Sequence, residues 1–243
     1  TSRGDVVCRD GTIEQIDESD RLPVDEEIDA SGLLVLPGFI DPHVHSRDPG
    51  LTHKEDFAHS TRAAAAGGVT TIVDMPLNSL PPTVDVPALH IKRAVAAEKA
   101  YVDVGFWAGA VPGNLGQLAP LHEAGVLGFK CFLADSGTDD FPPVSAGQME
   151  QALSVLRGFG TPLLVHAESA EAAAAIGEAS GRRYADYLAS RPRGVENLAV
   201  AQVIEAARRT GGRAHIVHLS SSDALPMIAS ARRPSGADRA MSQ

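Results

Sequence analysis

From about residue 33 to residue 231, short apolar runs rich in β-branched residues alternate with stripes of helical period. The first run, Leu33-Leu34-Val35-Leu36, leads through Pro37-Gly38 into Asp41-Pro42-His43-Val44-His45. Further strand-like runs are Val69 to Asp74, Tyr101 to Trp107, Val126 to Leu133, Pro162 to His166 and Ala214 to His218. Between them, Thr52-His53-Lys54-Glu55 has the capping-box pattern of a helix that continues to Ala66 and stops at Gly67-Gly68. Asp85 and Pro87 open a helix reaching about Ala100, and Leu115 to Ala124 reads as a short one. Met149, Ala152, Leu153 and Leu156 mark one helical face, and Val200, Val203, Ile204 and Ala207 another. A last helix is expected from Ser222 to about Ala231.

Strands and helices alternate at intervals of about 30 to 50 residues, the size of βα units with insertions. The expected fold is therefore α/β, a (β/α)8 barrel of the TIM type, in which functional residues gather at the C-terminal ends of the strands. A doubly wound open sheet is the alternative, but no glycine-rich phosphate loop follows the first strand. By His218 six strands are used, so about six of eight βα units are expected. Ahead of them, residues 1–32 read as part of a small β unit of the sandwich kind, with strands at Gly4 to Cys8 and Thr12 to Ile16 about an Asp10-Gly11 turn. The acidic stretch Asp17 to Asp29 is read as a solvated loop. Residues 33–231 form the partial barrel, and residues 232–243, with little to bury, are expected to be a disordered tail.

Composition narrows the partners. A net charge of −10 argues against nucleic acid or an anionic membrane. No apolar run approaches a membrane span. Cys8 and Cys131, the two cysteines, cannot make a disulfide framework, so a reducing, cytoplasmic setting is expected.

The candidate chemistry lies at the strand ends. On a strand, side chains alternate, so His43 and His45 share a face and are near enough to hold one cation. Such imidazoles suit Zn²⁺ or a similar divalent ion. Strand four carries Lys130, strand five ends in His166 and strand six in His218. His215 is three residues from His218 and would face the other way; His218 is chosen as nearer the C-terminal end. Any one of these histidines alone reads equally as a satisfied, partly buried residue; their convergence at four strand ends points to metal. Lys130 sits between Phe129 and Cys131, where an unpaired ammonium is costly. Either its stem is buried and its charge reaches water, or the amine is held neutral and reacts with CO₂ to a carbamate. A carbamate has two oxygens, enough to bridge two metals about 3.5–4 Å apart. His53, His59, His90 and His122 fall in loops or helices and are read as surface residues.

His43-Val44-His45, Lys130, Leu164-Val165-His166-Ala167-Glu168 and Ile216-Val217-His218-Leu219-Ser220 resemble the ligand set of the amidohydrolase superfamily, in its cyclic amidase branch. Within that branch, Asp74-Met75-Pro76-Leu77-Asn78-Ser79, Gly128 to Leu133, Asp135-Ser136-Gly137 and Ala189-Ser190-Arg191-Pro192 are similar to allantoinases. The resemblance spans about residues 4 to 231. It implies that His43 and His45 bind one metal and His166 and His218 the other, with carboxylated Lys130 bridging both. The donors suit Zn²⁺, and Co²⁺, Mn²⁺ and Fe²⁺ as well. The implied reaction is metal-dependent hydrolysis of a cyclic amide, in which a bridging hydroxide opens the hydantoin ring of allantoin to allantoate in ureide catabolism. Asn78, Arg47 and Ser136 are the implied substrate contacts. Arg47 also stands where dihydroorotases keep an arginine, so a dihydroorotase- or hydantoinase-like activity is the second enzymatic reading. A small cyclic ureide is the implied partner, and a homo-oligomer, tetrameric in the family, the implied assembly. The family's strand-eight aspartate, its general base, has no match in these 243 residues. No catalytic residue is therefore assigned, and a non-catalytic fragment or scaffold of the same fold is the reading from a different class.

Overall fold

The computed structural model of the chain describes residues 4–17, 24–177 and 179–232. The expected disordered tail lies outside these residues, apart from Arg232. The chain divides into two compact units, Thr1–Pro37 and Gly38–Gln243, later than the expected break after residue 32.

In the first unit, β1 (Asp5–Arg9) and β2 (Thr12–Asp17) pair antiparallel. Asp10 and Gly11 connect them with φ of 50° and 74°, the doubly left-handed turn whose twist matches two right-twisted strands. These are the two strands expected from the Asp-Gly signal. Leu33 to Leu36 form no strand and are exposed, so the apolar run does not itself open the barrel.

In the second unit, β3 (Phe39–Val44), β4 (Val69–Asp74) and β5 (Asp103–Phe106) pair in parallel, in that order. β6 (Ala108–Gly109), β7 (Phe129–Phe132), β8 (Leu163–His166) and β9 (Ala214–Ile216) do the same. The two sets meet at Trp107. Its N–H donates to the Asp74 carbonyl, while the Phe106 carbonyl accepts from Leu127 and the Ala108 N–H donates to Gly128. The expected third strand is thus broken where its partner changes from β4 to β7. Strand order follows sequence order throughout, with no reversal of the kind a doubly wound sheet needs. This is the barrel arrangement, and the described residues supply six of its eight strands.

Helices return the chain after each strand: α1 (Phe57–Ala66), α2 (Val86–Lys99), α3 (Leu118–Glu123) and α4 (Ala146–Arg157). After β8 come α5 (Ala170–Ile176), α6 (Tyr184–Ala189) and α7 (Arg193–Thr210), and α8 (Leu225–Ala231) follows β9. α4 begins with a complete capping box, Ser145 and Gln148 satisfying each other's backbone N–H groups. It buries the stripe Met149, Ala152, Leu153 and Leu156. α1 starts later than expected: Asp56, not Thr52, caps it, its carboxylate accepting from the His59 N–H at 2.7 Å. α5 and α6 bury no residue; α5 is nearly all alanine, helical by propensity rather than by an apolar stripe.

β7 is buried on both faces, as expected of an inner parallel strand covered by helices on one side and lumen side chains on the other. Gly128 lets the chain enter it, because a Cβ there would lie 2.8 Å from the Pro162 carbonyl oxygen. Phe129, Cys131, Leu163 and Val165 join Leu153, Leu156, Val200 and Val203 in the main core between sheet and helices. A second cluster, Met75, Leu77, Phe132, Phe141, Leu164 and Val217, lies among the C-terminal strand ends.

Candidate metal centre

His43 is the penultimate residue of β3 and His45 follows the strand; Lys130 is inside β7, His166 ends β8, and His218 lies just beyond β9. The expected sixth strand stops at Ile216, and His218 sits in the left-handed region with φ of 37°. His215 stays on the strand and is exposed. The ring centroids of His43 lie 5.5 Å from His45 and 5.6 Å from His218, and those of His166 and His218 are 4.7 Å apart. The five expected residues are therefore brought together.

Lys130 is at the centre. It is 1% exposed, with Nζ 4.8 Å above the Phe132 ring. Burial pushes its pKa down to about 8, and only the Cys131 thiol beside it works the other way. Burial likewise pushes His43 and His218 down to about 4, the Lys130 charge being the next cause in both. His45 and His166 are lowered chiefly by burial, with the Lys130 charge contributing again. One amine thus acts on all four imidazoles, and at neutral pH the rings are uncharged, the state in which imidazole binds metal.

The donors fit a divalent cation. His45 Nδ1 is buried with no hydrogen-bond partner. His166 Nε2 contacts Glu168 Oε2 at 3.2 Å, and His166 Nδ1 lies 3.0 Å from His218 Nε2. A carboxylate only accepts, so the His166 proton belongs on Nε2 and a lone pair on Nδ1 faces His218. Two nitrogens sharing a tetrahedral Zn²⁺ at about 2.0–2.1 Å would stand about 3.3 Å apart, close to the separation here.

Carboxylates that the sequence reading did not single out brace these strand ends. Asp74 Oδ1 accepts from the Ser46 N–H at 2.7 Å, next to His45, and Asp74 Oδ2 pairs with Lys92 Nζ at 2.7 Å. Glu196 on α7 accepts from the N–H groups of Ser220 and Ser221, beyond His218. Glu168 also meets Arg191 Nε, at 3.3 Å, within the Ala189–Pro192 segment noted above. A lysine on the buried face of α2 was the available signal for the first brace.

The expected substrate contacts differ in their freedom. Arg47 and Asn78, on the loops after β3 and β4, are half-buried with φ of 56° and 63°. The Arg47 charge reaches His45 and helps lower it. The Ser136 hydroxyl is occupied, donating to the Phe141 carbonyl at 2.7 Å and holding its own loop. Elsewhere, Glu55, Asp56 and His59 cluster at the start of α1. There Asp56 is spent as the helix cap, and His59 is exposed, as expected of a surface histidine. Two surface hollows, of about 350 and 230 Å³, lie along α4 and α7 and under the loop at residues 110–118. None of the clustered histidines lines either one.

Imidazoles and a buried lysine thus gather at the C-terminal strand ends of a parallel barrel sheet, the face on which barrel enzymes carry their sites. The chain belongs to the amidohydrolase family, whose model matches residues 34–240. It is 53% identical over 218 residues to an allantoinase of Streptomyces avermitilis, covering 87% of this chain and 49% of that protein. With an allantoinase of Saccharomyces cerevisiae it shares 46% identity, covering 83% of this chain and 45% of that one. Among solved structures, the L-hydantoinase (dihydropyrimidinase) of Arthrobacter aurescens superposes with a TM-score of 0.91 at 32% identity, covering 95% of this chain and 52% of that chain. The chain spans about half the length of the curated relatives it matches. No helix among the described residues is long and apolar enough to cross a membrane.

Proposed function

We propose that this chain carries the metal-binding part of a cyclic amide hydrolase that opens the hydantoin ring of allantoin to allantoate. The observation that carries the reading is the gathering of four imidazoles at the strand ends around buried Lys130, whose charge acts on each of them. The allantoinase and hydantoinase relatives support the choice of a cyclic ureide.

In this reading His43 and His45 hold one ion, and His166 and His218 the other. Zn²⁺ is the expected metal; Co²⁺, Mn²⁺ and Fe²⁺ also suit the donors. An ammonium between two divalent ions would repel both, so Lys130 must change its charge. Near pH 8 much of its amine is neutral. Addition of the neutral amine nitrogen to CO₂, with its proton released to solvent, would give a carbamate anion whose two oxygens are donors suited to divalent ions. Bound divalent ions would lower the pKa of water from 15.7 towards about 7 and polarise the ring carbonyl. Among the chain's own groups, Phe132 stacks on His166 with centroids 4.6 Å apart and keeps water from one face of that ring. Asn78, on the loop after β4, would be a hydrogen-bonding contact for the ureide.

Arg47 supports a second reading. A half-buried guanidinium acting on His45 suits a substrate carboxylate, which dihydroorotate has and allantoin lacks. The test is hydrolysis of allantoin, dihydroorotate and unsubstituted hydantoin by the chain reconstituted with zinc and bicarbonate. Preference for allantoin supports the proposal, and preference for dihydroorotate moves the assignment to Arg47. Metal uptake without turnover of any of the three would mark a non-catalytic scaffold.

A further inference from the structure

We propose that Glu168, held by Arg191, is a positioning residue that fixes which nitrogen of His166 faces the metal. The inference rests on the metal reading above and deepens it. Three contacts form a chain: Arg191 Nε to Glu168 Oε1 at 3.3 Å, Glu168 Oε2 to His166 Nε2 at 3.2 Å, and His166 Nδ1 to His218 Nε2 at 3.0 Å.

Each link has a physical consequence. Stacking on Phe132, with the planes 16° apart, restricts the His166 ring to one plane but leaves open which nitrogen bears the proton. Glu168 settles that choice, because a carboxylate oxygen can only accept and so draws the proton to Nε2. Nδ1 then presents a lone pair beside Nε2 of His218. Without Glu168 the proton could reside on Nδ1 and be donated to His218. A histidine–histidine hydrogen bond would then occupy the place where the two nitrogens converge on an ion. Arg191 keeps Glu168 in place from the opposite side; its Nη1 donates to the Ser190 carbonyl at 3.1 Å, and its guanidinium lies 6.0 Å from the Tyr187 ring. This gives the Ala189–Pro192 segment a role: it carries the group that orients the acceptor.

The test is zinc titration by calorimetry on the full chain and on Glu168→Ala, Glu168→Gln and Arg191→Ala, alongside urea unfolding of each metal-free protein. Removing a partner that orients a ligating histidine costs about 10–100-fold in metal affinity. Glu168→Ala is expected to weaken one of two zinc ions by that factor and leave the other unchanged. Glu168→Gln, whose amide oxygen can still accept from Nε2–H, is expected to recover most of the loss. Arg191→Ala should fall between the two. Equal zinc affinity in wild type and Glu168→Ala overturns the proposal, as does equal loss in the Ala and Gln variants, which would mean the effect is packing or net charge. A wild-type chain that takes up no zinc overturns the metal reading itself. Uptake by wild type with indifferent variants overturns only the role of Glu168.

Discussion

Replacing Lys92 with methionine should cost this chain more stability than most core truncations, and restoring charge balance should return most of it. Lys92 and Asp74 are each 1% exposed and meet at 2.7 Å. At that separation, with an effective dielectric of about 20, the gross attraction is about 6 kcal/mol. Desolvating each ion costs several kcal/mol, so the intact pair nets close to zero. Half a pair is different. Lys92→Met leaves the Asp74 carboxylate buried with only the Ser46 N–H, and an uncompensated buried charge costs about 3–5 kcal/mol. The freed Met75 carbonyl, which now accepts from Lys92 at 2.9 Å, adds to the loss. In Asp74→Asn/Lys92→Met the amide oxygen can still accept from Ser46, and the methionine fills the lysine's volume. That double variant should come within about 1–2 kcal/mol of wild type. Urea unfolding followed by circular dichroism gives the four corners of the cycle, with midpoints compared at constant slope. A Lys92→Met loss below about 1 kcal/mol, or a double variant equal to the sum of the singles, would refute the reasoning.

Three further outcomes are expected. Gly128→Ala should destabilise the chain by about 1–3 kcal/mol, because its Cβ meets the Pro162 carbonyl oxygen at 2.8 Å; an unchanged urea midpoint would show that β7 and β8 can part freely. In a thiol titration at pH 8, exposed Cys8 should react and buried Cys131, whose pKa burial pushes up to about 12, should not until the chain unfolds. Only about one Cys131 side chain in ten thousand is a thiolate at that pH, so two fast thiols in the folded chain would contradict the packing of β7. His122→Ala should lose about 1–2 kcal/mol, since the ring stacks on Phe159 at 4.8 Å and meets Thr161 Oγ1 at 3.2 Å. Its zinc content should stay at the wild-type value, and a fall would mean His122 is tied to the centre.

What could be read from the sequence was whatever is written locally. The four residues buried by α4 recur at helical spacing, and the Asp-Gly between β1 and β2 has the chemistry of a left-handed turn. The strand-end histidines stood out because each closes an apolar run, and Lys130 because it interrupts one. What escaped depends on partners far along the chain. Asp74 and Lys92 are 18 residues apart, and Glu168 and Arg191 are joined only by the fold. The run from Tyr101 to Trp107 is continuous in pattern, yet its pairing changes from β4 to β7 within it. At the start of α1, Thr52 and Asp56 are both acceptable caps, and only the hydrogen bond to His59 distinguishes them.

Lys130 is proposed to bridge two ions held by four histidines. The most direct test is the metal content of wild type and Lys130→Ala, each purified with zinc and bicarbonate and measured by elemental analysis. About two zinc ions per wild-type chain and loss of most binuclear binding in the variant are expected, with both proteins folded by circular dichroism. Equal metal content in the two would contradict the bridging role.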